Sequence, residues 1–306
     1  MDINFEYYKV FYYVAKYGNF TKAASVMKNS QPNITRMMNS LEHALQCTLF
    51  IRTNRGVRMT TEGEKLYNRV SVAMMQFRLA EEELSDHTGL EHGSIAIGVS
   101  EIALNLYLLE HLKKFHANYP GVRLKIWNHT TPQAIQAVKA GEVDFAVVTS
   151  PVKLENSLRQ ICLQTFHEIL VAGKIFQTLK NQTHSIAILE KYPWISMGKN
   201  TATYTFYQKI FYQNGMAIEP EIEAATADQI LSLVESELGL AFLPEEMVKD
   251  SLEKREFFAV PLKEEIPDRY ISLVYDPKYP MSTAAHQFKK CLHPDLMAVD
   301  SSPGKK

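Results

Sequence analysis

Apolar residues recur at helical spacing from the start of the chain. Phe5, Tyr8, Phe11 or Tyr12, and Ala15 share one face and predict a helix from about Phe5 to Tyr17, which Gly18 is placed to stop. Thr21 is positioned to cap a short second helix whose Ala23, Ala24 and Met27 face inward; the two adjacent small residues permit close helix–helix approach. Lys28-Asn29-Ser30 makes a turn, Ser30 caps a third helix, and Pro32 sits in its first turn, where a missing N–H costs little. In that helix Ile34, Met37, Met38, Leu41 and Leu45 fall within a narrow arc and form the buried stripe. The opposite face carries Pro32, Arg36, Asn39 and His43, flanked by Asn33, Thr35 and Ser40, with no acid. Residues 51–60 then read as a small hairpin turning at Asn54-Arg55-Gly56.

The period changes after Thr60. Thr60 or Thr61 can cap a long helix, and Thr61 with Glu64 has capping-box spacing. Leu66, Val70, Ala73, Phe77, Ala80 and Leu84 follow at alternating spacings of four and three, a heptad seam that ends near Gly89. Such a helix is roughly 40 Å long. A sustained 3.5-residue period favours a partner helix, hence a dimer that carries the third helix twice.

From Ser94 onward, short apolar strands alternate with helices. Strands are expected at Ile95–Val99, Val122–Trp127, Asp144–Thr149, Ser185–Leu189, Trp194–Met197, Gly239–Leu243 and Tyr270–Val274, and helices over 108–116, 132–140 and 228–236. Continuous apolar strands between helices argue for an α/β body with parallel sheets covered on both faces.

Charge sharpens the division. Residues 1–60 hold eight Lys/Arg against three Asp/Glu, whereas the remainder holds 25 against 31. A basic start on an acidic body suits a polyanion partner for the first segment alone. Met1-Asp-Ile-Asn-Phe-Glu6 has neither a basic n-region nor an apolar h-region, so no signal peptide is expected. No apolar run is long enough to span a membrane. Cys47, Cys162 and Cys291 are too widely spaced for a disulfide or zinc pattern, and a reducing cytoplasm fits best.

Candidate chemistry falls in two places. The acid-free face of the third helix has the side chains that reach base edges and phosphates in a major groove, so the layout is a winged helix-turn-helix. Arg52, Arg55 and Arg58 concentrate charge on the wing, where phosphate contact sets register; pairing with Glu42 is the structural alternative for Arg52. In the body, ligands of α/β sheets gather at strand carboxyl ends and helix N-termini. Ser100, Thr131, Thr149 and Thr226 stand at such positions, Thr131 and Thr226 as expected helix caps. No motif of a metalloprotease, an α/β hydrolase, a phosphate loop or a dinucleotide fold occurs, and neither a catalytic residue, a metal site nor a cofactor is expected. The rival readings are an enzyme, a free solute-binding protein, which leaves residues 1–88 unexplained, and a thiol sensor using Cys162 or Cys291, for which no resolving partner is apparent.

The residues Phe20, Thr21, Ala23, Ala24, Ser30, Gln31, Pro32, Leu41, Glu42, Leu45, Leu49, Phe50, Arg52, Thr60 and Gly63 resemble the N-terminal pattern of the LysR-type transcriptional regulators. Asn33 and Ile34 replace the usual Ala-Val, Thr35 a Ser, and Gln46 the usual Gly, which weakens the expected helix stop. Tyr119-Pro-Gly-Val122, Gly141-Glu-Val-Asp144 and 238–244 match recurring elements of the family's effector domain. The resemblance implies a winged helix-turn-helix over 1–60, a linker dimerisation helix over 61–90, and a periplasmic-binding-protein-like effector domain over 91–300. Its two subdomains would be 91–161 with 268–300, and 162–267, joined by crossover strands near 161–165 and 262–272. It further implies double-stranded DNA as partner, contacted by Thr21, Ser30, Gln31, Pro32, Asn33, Thr35, Arg36, Asn39, Arg52, Arg55 and Arg58. A small effector, carboxylates being common in the family, would sit in the interdomain cleft among Ser100, Thr131, Thr149, Ser196, Thr201 and Thr226. A homodimer through the linker helix, a homotetramer, and RNA polymerase as a candidate partner complete the expectation.

Overall fold

The structure is a computed structural model that describes residues 3–53, 56–85, 93–155, 157–254, 256–279 and 281–292; side chains at 52, 53, 78, 79 and 82–85 also lie outside the description. The chain divides into two compact units, residues 1–87 with 139–141 and residues 88–138 with 142–306.

The N-terminal unit contains α1 (Phe5–Tyr17), α2 (Phe20–Val26), α3 (Gln31–Leu45), a hairpin of β1 (Phe50–Thr53) and β2 (Gly56–Met59), and α4 (Thr61–Ser85). Gly18 ends α1 with a φ of 59°, a left-handed conformation that is cheap only without a Cβ. The cap of α2 is Asn19 rather than the expected Thr21: its side chain accepts the Lys22 N–H at 3.0 Å. Asn19 has extended backbone and the helix already begins at Phe20, so Thr21 lies inside the first turn. Ser30 caps α3 by accepting the Asn33 N–H at 3.4 Å. At the other end Gln46 takes the left-handed position itself, φ 53°, and the Cys47 N–H closes back on the Glu42 carbonyl at 3.2 Å. The Glu42 carboxylate meanwhile accepts the Leu49 and Phe50 N–H groups at 2.6 and 3.2 Å, tying α3 to β1.

For α4, the cap is Thr60. Its hydroxyl donates to the Thr48 carbonyl at 2.7 Å and accepts the Gly63 N–H at 3.0 Å. A Cβ at Gly63 would lie 2.3 Å from the Leu49 carbonyl oxygen, so the close approach of α4 to the hairpin requires glycine there. Val10, Phe11, Val14, Ala23, Ala24, Ile34, Met38, Leu41, Leu49, Phe50, Tyr67 and Val70 form the core. The heptad seam therefore splits. Val70 is buried and Leu66 partly buried in their own unit, while Ala73, Phe77 and Ala80 are exposed; the Leu84 side chain and Gly89 lie outside the described residues. Phe77 is 51% exposed and touches Phe5 edge-on at 4.9 Å.

The C-terminal unit holds two five-stranded sheets. In chain order its elements are β3 (Ser94–Val99), α5 (Glu101–Ala103), a π-helical turn (Leu104–Leu108), α6 (Leu109–Asn118), β4 (Arg123–Asn128), α7 (Thr131–Lys139), β5 (Phe145–Thr149), β6 (Arg159–Phe166), β7 (Glu168–Gly173), β8 (Trp194–Met197), α8 (Ala202–Gln213), β9 (Ile222–Ala224), α9 (Ala227–Glu235), β10 (Leu240–Pro244), α10 (Glu245–Glu253), β11 (Phe257–Ala259), β12 (Arg269–Tyr275) and α11 (Thr283–Leu292). The sheet orders are β4-β3-β5-β12-β6 and β11-β7-β10-β8-β9.

Each sheet is mixed, not wholly parallel as expected. In each, three neighbouring strands run parallel, a fourth (β12 or β7) runs against them, and the edge strand (β6 or β11) pairs antiparallel with that fourth. These last two strands are those through which the chain changes sheets, between Phe166 and Glu168 and again between Ala259 and Arg269. Residues 186–190, expected within a strand, form a 3-10 helix because Ser185 caps the turn and the Glu264 carboxylate accepts the Ile186 N–H at 2.8 Å. Alternation along the strands covers both faces of the first sheet. Ile95, Ile97, Val99, Phe145 and Val147 face one apolar cluster, and Ala96, Ala146 and Val148 face another with α7.

Gln46→Gly should stabilise the N-terminal unit by roughly 0.5–1 kcal/mol, because the left-handed end of α3 then carries no Cβ penalty. Urea unfolding followed in that unit reads the change, and an unaltered or lowered midpoint contradicts it.

Candidate nucleic-acid interface and ligand cavity

Burying Ile34, Met38 and Leu41 turns the polar face of α3 outward. Pro32, Thr35, Arg36, Asn39, Ser40 and His43 line one shallow groove on that surface. Its side chains are braced along the helix. The Arg36 guanidinium donates to Asn33 Oδ1 at 3.0 Å, and the Asn33 amide donates to Asn29 Oδ1 at 2.9 Å. Thr35 donates to the Gln31 carbonyl at 3.0 Å, and Ser40 to the Arg36 carbonyl at 3.0 Å. Thr21 is exposed near the start of α2, and Arg58 is exposed on β2. Arg55 and the Arg52 side chain lie outside the described residues. A preformed row of donors above a packed stripe can meet base edges and phosphates without reordering.

In the C-terminal unit a cavity of about 240 Å³ gathers five of the six hydroxyls anticipated for a ligand: Ser100, Thr131, Thr149, Thr201 and Thr226. Ser196 is not among the lining residues; it is buried in β8, and the neighbouring Met197 lines the cavity instead. Most of the hydroxyls are committed to structure. Thr201 accepts the Tyr204 N–H at 3.1 Å, and Thr226 the Gln229 N–H at 3.3 Å, each capping its helix. Thr131 is not the expected cap of α7. Thr130 is, in a reciprocal box with Gln133 (3.4 and 2.9 Å), which frees the Thr131 hydroxyl to donate to the Thr149 carbonyl at 3.0 Å.

Ser100 differs from the others. It starts the helical run through α5 without making a side-chain cap, and its buried Oγ has no hydrogen-bond partner among the described residues. His129 Nε2, in the same lining, is likewise buried and unpartnered. Two orphaned polar atoms in one cavity ask for a polar ligand or water.

No motif marks Glu101, the only Asp, Glu, Lys or Arg among the described lining residues. Its carboxylate accepts the Ala227 N–H at the start of α9 at 2.6 Å, joining residues 126 positions apart. Burial raises its pKa above the usual carboxylate value; the amides of Ala227 and Asp228 oppose that shift, and the Asp228 carboxyl reinforces it.

Behind Thr149 lies a buried ion pair. Arg269 Nη1 donates to Glu168 Oε1 at 2.9 Å, with both side chains excluded from solvent. The same guanidinium donates to Thr149 Oγ1 at 3.2 Å and to the Ser150 carbonyl at 2.6 and 3.0 Å. Phe166 and Phe206 flank it, 5.4 and 5.1 Å from Cζ. The Tyr207 hydroxyl donates to the other Glu168 oxygen; burial, and next the Glu168 charge, push its pKa well above the ordinary phenol value, so it stays a neutral donor.

Comparison with known proteins agrees with this layout. Residues 5–64 match the family model of the bacterial regulatory helix-turn-helix protein, lysR family, and residues 88–296 match that of the LysR substrate binding domain. The HTH-type transcriptional regulator YofA of Bacillus velezensis is 28% identical over 267 residues, spanning 87% of this chain and 90% of its own length. Among solved structures, a full-length OxyR variant of Pseudomonas aeruginosa aligns with a TM-score of 0.72 at 18% identity, covering 95% of each chain. ArgP of Mycobacterium tuberculosis aligns with the same score at 16% identity, over 95% of this chain and 96% of its own.

Glu168→Gln should destabilise the C-terminal unit by about 3–5 kcal/mol, since it leaves the Arg269 charge buried without a counter-charge. Denaturant unfolding measures this, and a loss below about 1 kcal/mol would sink the assignment.

Proposed function

The chain belongs to the LysR family of bacterial transcriptional regulators, and from that premise we propose how its own residues divide the work. The polar face of α3 reads the major groove: Asn33, Thr35, Arg36 and Asn39 meet base edges, and Thr21, Ser30, Gln31 and Pro32 meet the backbone at the helix-turn-helix entrance. Arg58 belongs to the wing, with Arg52 and Arg55 assigned there on sequence grounds. What carries this reading is the acid-free groove over a buried apolar stripe, in which Arg36 is already held by Asn33.

The exposed half of α4, with Ala73, Phe77 and Ala80, supports pairing of two chains; a homotetramer is the assembly we infer from there. The cytoplasm is the compartment that fits a regulator with three unpaired cysteines, and among the described residues no helix is long and apolar enough to cross a membrane. In the C-terminal cavity a small effector engages Ser100 and the hydroxyls around it, and its binding shifts the population of cleft geometries. Differential affinity for those geometries alters how dimers sit on DNA and what RNA polymerase meets. We assign no reaction to the cavity.

Arg36→Ala should weaken binding to the target site by about 1–3 kcal/mol in a gel shift, with the melting temperature of the protein unchanged; undiminished affinity would remove Arg36 from the readout. Ser100→Ala should abolish the effector's thermal shift and its transcriptional response while DNA affinity in the absence of effector stays at wild-type level. A retained response would take Ser100 out of the site.

A further inference from the structure

Four helix N-termini face the cavity, at Glu101, Thr131, Ala202 and Ala227, and each presents partial positive charge that attracts an anion. They are not equally open. At α9 the donors are taken: Thr226 holds the Gln229 N–H at 3.3 Å, and the Glu101 carboxylate holds the Ala227 N–H at 2.6 Å and also meets the Asp228 amide. Glu101 thus comes from the segment after β3, in one sheet's lobe, to neutralise the end of a helix packed on the other sheet.

The Ser100 hydroxyl, in the residue just before Glu101, is more than nine-tenths buried and has no partner among the described residues. Among the described lining residues there is no Lys or Arg to balance a second negative group, and Glu101 with Asp228 beside it would repel one.

We propose that Glu101 is a built-in anion: it fills the N-terminus of α9 from within the protein, and so makes the cleft selective for effectors with a single acidic group. This rests on the cavity being the effector site, and it names the class of effector. A monocarboxylate or a zwitterion meets Ser100 with its acidic end. A dicarboxylate must bring its second charge against Glu101 or displace that side chain from α9. Glu101 is therefore the residue that sets specificity, and it also ties the two lobes across the cleft.

Hydrogen exchange of the peptide spanning Ala227 and Asp228 in the full-length protein tests the first part without any effector. Wild-type exchange should be the same in formate as in chloride at equal ionic strength. In Glu101→Ala it should accelerate roughly ten- to a hundredfold, the loss of a charge-assisted hydrogen bond, and formate should restore protection saturably. Glu101→Gln, whose amide oxygen still accepts, serves as the variant that preserves packing and should fall between the two without a formate response. Melts supply the second part: succinate should stabilise Glu101→Ala beyond twice the concentration of acetate, and wild type no more than acetate does. Wild-type protection by formate, a Glu101→Ala exchange rate equal to wild type, or a succinate gain in wild type each overturns the proposal. None of these outcomes touches the Ser100→Ala result, which decides separately whether the cavity is the effector site.

Discussion

The C-terminal unit is organised around one desolvated charge pair, Arg269 with Glu168. An ion pair taken wholly out of water is stable only if every remaining donor and acceptor is met. Here the guanidinium has Thr149, the Ser150 carbonyl and two aromatic rings, and the carboxylate has Tyr207. Arg269 begins β12 and Glu168 begins β7, so the pair lies where the chain passes from one sheet to the other. Its geometry requires the ends of both sheets to stay together, and that fixes the floor of the cavity. Thr149 belongs to both structures at once: its hydroxyl meets Arg269 and its carbonyl receives Thr131.

The cavity is rich in hydroxyls, yet few of them are available. Thr130, Thr201 and Thr226 are engaged in caps that satisfy helix amides, and Thr131 is engaged with Thr149. Such groups shape the wall more than they choose the ligand. Choice falls to the atoms the fold leaves unpaired, Ser100 Oγ and His129 Nε2, and to the one charge the fold imports, Glu101.

Local rules were enough to read the N-terminal unit. The ends of α1 and α3, the buried stripe of α3 and its polar face all follow from residues close in sequence. The miss at Thr21 is equally local: Asn19 is as good a cap and comes first. The same competition decided α7, where the Thr130–Gln133 box was present in the sequence and outranked Thr131. What could not be read is what depends on distant partners. Glu101 meets Ala227, and Glu168 meets Arg269, across more than a hundred residues each, and nothing around either acid marks its partner. The mixed character of the sheets was hidden for a related reason, since an apolar strand buried on both faces reads alike in either direction.

The division along α4 has a consequence for dosage. Its first turns are packed within their own unit, so that unit has a core without a neighbour, whereas Phe77 stays half exposed beside Phe5, and Ala73 and Ala80 are exposed. In the proposed dimer, folding is then a property of one chain and pairing a property of how many chains the cell holds. At concentrations below the pairing constant, the number of paired readers falls with the square of the copy number, so a threefold drop in protein removes about nine-tenths of them. A regulator built this way responds to its own abundance as well as to its ligand.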